Sequence, residues 1–132
     1  METDTLTVEA LDTAIEDALG LLISKQKNDG HWSFELETDT TITAEYILLN
    51  HFLNEIDNDL EGKLAVYLRR NQNKDGGWPL YKGGEFNISA SVKAYFALKM
   101  VGDRVDMPHM RSAREAILAH GGAVNSNVFT RI

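Results

Sequence analysis

Residues Gln26 to Trp32 read QKNDGHW, and residues Gln72 to Trp78 read QNKDGGW. Both obey Gln-x-x-Asp-Gly-x-Trp, 46 residues apart, and they hold the only two tryptophans of the chain. Leu22 and Leu68 extend the agreement upstream in the same register. Self-similarity at such a period marks a repeat architecture, in which each unit is too small to bury its apolar face alone. A third copy in the same frame would place Leu118 at the glutamine position, Gly122 at the glycine and Val124 at the tryptophan. That segment is read as a degenerate repeat.

The segments between the motifs have helical periodicity. Val8, Leu11, Ile15, Ala18, Leu19 and Leu22 form one apolar stripe opposite Glu9, Asp12, Glu16 and Asp17. Early acids and the late Lys25 and Lys27 suit the helix dipole. A second helix, about Thr41 to Leu53, leaves almost no polar face and is expected to be buried nearly all round. Leu60 to Asn71 is amphipathic again, and Ser89 to Val101 is apolar and small. Pro108 suits the first turn of a fifth helix, ending near His120 before Gly121 and Gly122. Strand signals are weak, and the best, Trp78 to Tyr81, sits in a loop. Amphipathic helix, motif loop, apolar helix is an αα-hairpin. The chain is therefore expected to be all-α, a single unit over residues 1–132 made of αα-hairpin repeats in part of an αα-barrel. Val128 to Ile132 reads as the start of another helix, so the ring should be incomplete within this sequence.

Composition limits the function. The 132 residues are 43% hydrophobic and 25% charged, which is globular material. A net charge of −7 argues against nucleic acid as the main partner. With no cysteine there is no disulfide, thiolate nucleophile or Cys-based zinc site, and a reducing, cytoplasmic setting fits. The acidic start lacks the pattern of a signal peptide, and no apolar run nears the roughly 20 residues that span a bilayer.

The motif residues have physical roles. Asp29-Gly30 and Asp75-Gly76 supply tight turns, because glycine tolerates positive φ and aspartate bonds its own backbone. The amides of Gln26 and Gln72 can satisfy backbone groups at a neighbouring helix end. The indoles of Trp32 and Trp78 can shield those amides from water. Together they would clasp consecutive outer helices. None of these residues is a nucleophile or titrates near neutrality, so the structural reading outweighs an aromatic lining for a cation or sugar.

The two segments resemble the QW motifs of triterpene cyclases of the squalene–hopene cyclase kind. Thr43-Ala44-Glu45-Tyr46-Ile47-Leu48-Leu49, Leu80-Tyr81-Lys82-Gly83-Gly84, Lys93 to Lys99, His120-Gly121-Gly122 and Val128-Phe129-Thr130-Arg131 are similar to family segments in the same order. The resemblance runs from about Leu11 to Ile132. It implies the N-terminal part of an enzyme with two αα-barrel domains. Such enzymes protonate squalene or a related polyprene and guide a cationic cyclisation without a metal or redox cofactor, on one face of a membrane. The acid lies in an Asp-x-Asp-Asp motif, which this sequence lacks. The chain is thus expected to be structural and not catalytic alone, with the remainder of the cyclase chain as its partner.

Other signals carry less. Asp57-Asn58-Asp59-Leu60 sits where helix-capping acids belong. As an EF-hand loop it would have Leu68 in place of the final glutamate. His31, His51, His109 and His120 lack metal-ligand spacing, and Asn87-Ile88-Ser89 is a glycosylation sequon without a secretory context. Protein prenyltransferase β subunits and complement-type thioester domains share the αα-barrel, but they need cysteines this segment lacks. A standalone αα-repeat binding or scaffold module is the alternative. It would be soluble and monomeric, whereas a fragment would self-associate through exposed apolar edges.

Overall fold

A computed structural model describes residues 7–34 and 37–131. They form six α-helices and one 3₁₀ turn, with no strand among the described residues. The chain divides into two compact units, Met1–Leu36 and Glu37–Ile132.

The first unit holds α1, Val8–Ser24, and the first motif loop. Thr7 caps α1 by accepting from the Ala10 N–H, and Glu9 lies in the first turn, where a negative charge is favoured.

The second unit holds α2 (Thr40–Leu53), α3 (Asn58–Arg70), α4 (Ile88–Val101), α5 (Pro108–Ala119), a 3₁₀ turn at Ala123–Asn125 and α6 (Val128–Arg131). Each N-terminus from α2 to α4 starts at a residue whose side-chain oxygen can reach the free N–H groups of the first turn. Asp39 accepts from Thr41 N, Asp57 from Asp59 N and Leu60 N, and Asn87 from Ala90 N. Asp57 is therefore a cap, and the asparagine of the sequon is spent on another. α5 starts on Pro108, whose missing N–H costs nothing at that position.

The core of this unit gathers around α4. Ala90, Ala94 and Ala97 recur at helical spacing and are fully buried, together with Leu98. Their small side chains let α4 lie close against its neighbours, where Ala44 and Ile47 of α2, Ala65 and Leu68 of α3, and Met110 and Ala113 of α5 complete the cluster. Trp78, also fully buried, enters from the loop between α3 and α4.

One expectation needs correction. α2 is not buried all round: α4 and α3 cover the side bearing Thr40, Thr43, Ala44 and Ile47. Helical spacing turns Ile42, Tyr46 and Leu49 the other way, about half exposed, with Phe52 86% exposed. The Trp78 to Tyr81 run lies in a loop, as expected. The Trp78 N–H donates to Ser91 Oγ, its carbonyl accepts from Asn87 N, and Pro79 has no N–H for a ladder. The degenerate third segment, in keeping with its lost glutamine and tryptophan, does not form the motif loop. Arg70, the last residue of α3, corresponds to residue 116 (70 plus 46), but α5 runs three residues further, to Ala119. Gly122 N then bonds Ile117 O, and Gly121 N bonds Leu118 O, a helix-terminating pattern instead.

Thr40 is the one buried side chain among the described residues whose polar atom, Oγ1, has no hydrogen-bond partner. A buried hydroxyl left unpaired costs free energy. Thr40→Val should raise stability by about 1 kcal/mol, read as a higher urea midpoint at unchanged slope.

Candidate functional site

The two motif loops have the same internal bonding. Gln26 Nε2 donates to Gly30 O at 2.6 Å, and Gln72 Nε2 to Gly76 O at 2.7 Å. Trp32 Nε1 donates to Leu22 O at 2.7 Å, and Trp78 Nε1 to Leu68 O at 2.8 Å. Lys27 N meets His31 O as Asn73 N meets Gly77 O, both at 2.9 Å. Gly30 N and Gly76 N close the same turn onto Lys27 O and Asn73 O. The glycines have φ of 92° and 89°, a left-handed backbone that side chains other than glycine disfavour.

These bonds assign the parts of the motif differently from the sequence expectation. Leu22 and Leu68 lie in the last turns of α1 and α3, where each carbonyl accepts only a three-residue backbone bond, from Lys25 N at 3.1 Å and Asn71 N at 3.2 Å. The indole N–H adds a second, shorter donor to each, so the tryptophan shares the capping. The second N–H···O bond of Gln72 goes to His109 O at 2.9 Å, in the first turn of α5, a carbonyl that also faces its own helical donor. The glutamine is thus a tether between the end of α3 and the start of α5, not a cap. The aspartates differ as well. Asp75 Oδ1 accepts from Gly77 N at 2.9 Å, the expected local turn. Asp29 instead faces His31 Nδ1 at 2.5 Å.

A second cluster ties the same helices. Asp103, just after α4 and 8% exposed, accepts two bonds from Arg69 of α3, at 2.9 Å from Nε and 2.6 Å from Nη2. His109 Nε2 lies 2.7 Å from Oδ2, the oxygen that also accepts from Arg69 Nε. Burial by itself would raise the Asp103 carboxyl, but the bonds and charges of Arg69 and His109 outweigh it and hold the pKa below the usual aspartate value. The same bond from Asp103 raises Arg69. A carboxylate with a depressed folded pKa adds stability above its unfolded value and loses it as pH falls through the folded one. Acid unfolding below about pH 4 should therefore draw on this group. Asp103→Asn should cost about 2 kcal/mol at pH 7, at the low side for a broken buried pair because Arg69 still reaches water. It should also flatten the acid limb of the stability–pH curve measured by urea unfolding.

The remaining histidines have separate partners: His51 faces Glu61 at 2.6 Å, and His120 bonds Ala116 O and stacks on Phe86. Among the described residues no group of three or more His, Cys, Asp or Glu is placed to hold a metal ion. A cleft of about 260 Å³ lies between the start of α2, the end of α3 and residues 79–83. Across it the Tyr67 hydroxyl donates to Thr38 O at 2.7 Å. Burial first, then the nearby Glu37 and Asp39 charges, raise the Tyr67 pKa.

Residues 15–132 match the family model of the squalene-hopene cyclase N-terminal domain. The chain belongs to the squalene–hopene cyclase family. It is 57% identical over 129 residues to a squalene-hopene cyclase of Schizosaccharomyces japonicus, covering 97% of this chain and 20% of that one. Against the squalene–hopene cyclase of Bradyrhizobium diazoefficiens it is 60% identical over 124 residues, 93% of this chain and 19% of the relative. A dammaradiene synthase of Dryopteris crassirhizoma is 34% identical over 122 residues, 92% of this chain and 18% of its own length. The chain thus spans about a fifth of the length of these squalene–hopene cyclase relatives. The all-helical architecture agrees with the αα-barrel that the motifs imply. No helix among the described residues is long and apolar enough to cross a membrane.

Proposed function

We propose that these residues are a wall-building segment of a squalene–hopene cyclase-type enzyme, one that converts squalene or a related polyprene by proton-initiated cyclisation. The observation that carries this reading is the motif loop formed twice with the same bonds, within a chain of this family. Gln26, Asp29, Gly30 and Trp32, with Gln72, Asp75, Gly76 and Trp78, serve as structural clasps at the ends of outer helices. None of them acts on substrate. The proton donor belongs to an Asp-x-Asp-Asp motif, a string that does not occur in these 132 residues. The remainder of the cyclase chain is the partner that covers the outward apolar side of α2. Isolated from it, the segment self-associates through Ile42, Tyr46, Leu49 and Phe52, because a contiguous apolar face seeks burial. The whole enzyme works in the cytoplasm, resting on one membrane face that delivers its hydrocarbon substrate.

The test is to incubate squalene, without added metal, with the complete gene product carrying these residues and separately with the 132-residue chain. Cyclic triterpenoid should form with the first and not with the second. Cyclisation by the short chain would sink the structural assignment. A complete product inert toward squalene and related polyprenes would sink the cyclase reading.

A further inference from the structure

We draw no further inference here: the strongest candidate, the cleft between the start of α2, the end of α3 and residues 79–83, is lined by Glu37 and Asp39 together with Arg70 and Lys82, so its charges favour no ligand class, and nothing in the structure shows what fills it.

Discussion

Trp78→Ala should remove about 4 kcal/mol of stability, enough to abolish most of the native baseline in a urea titration. The side chain is fully buried within the cluster around α4, so truncation leaves a large cavity lined by residues from several elements. It also strips Leu68 O of its 2.8 Å indole donor, leaving only the 3.2 Å bond from Asn71 N. Trp78→Phe separates the two losses. It keeps most of the ring and deletes the N–H, and should cost about 1–2 kcal/mol. Equal losses for the two variants would mean that the hydrogen bond dominates and that the cavity argument is wrong.

Gly76→Ala should cost about 3 kcal/mol, the sum of left-handed strain and a clash with backbone. At φ of 89° an added Cβ would lie 2.5 Å from Ser112 O, and a helix carbonyl of α5 cannot turn aside as a side-chain tip could. Gly30→Ala is the internal control. Its φ of 92° is nearly the same, but the nearest atom to an added Cβ is Gln26 Nε2 at 4.0 Å. It should therefore show only the conformational strain, about 1–2 kcal/mol. The difference between the two, followed by thermal or urea unfolding of single variants, measures how tightly α5 seats on the second loop. No difference would mean that the loop and α5 move apart at little cost.

The sequence was most informative where the physics is local. Periodicity, Pro108 and the capping acid Asp57 placed α2 to α5 within two residues, because caps and apolar spacing act over a turn or two. The repeated motif foretold both loops, down to the turn glycines. The bonding partners were less legible. Trp78 and Leu68 are ten residues apart, and the acceptor is a backbone carbonyl, which every residue carries and no motif distinguishes. The Leu22 and Leu68 match was the one available hint. The Arg69–Asp103–His109 cluster could not be seen, since Arg69 and Asp103 are 34 positions apart and neither stands out by composition or period. The side of α2 that faces away from α4 was misjudged for a related reason. Apolar residues all round state what a helix can bury, not which neighbours lie against it.

The span of the motif bonds has a kinetic consequence. In each loop the glutamine-to-glycine and tryptophan-to-leucine bonds join residues no more than ten positions apart. Closing so short a segment takes on the order of 10–100 ns, and the entropy lost is small. The packing of α2 on α4 links residues nearly 50 positions apart, as in the Lys93–Glu45 pair, and must wait for a far longer search. The two corners can therefore set while the apolar helices are still apart. A nascent chain emerging N-terminus first would then carry its bends already formed before there is a core to bend around.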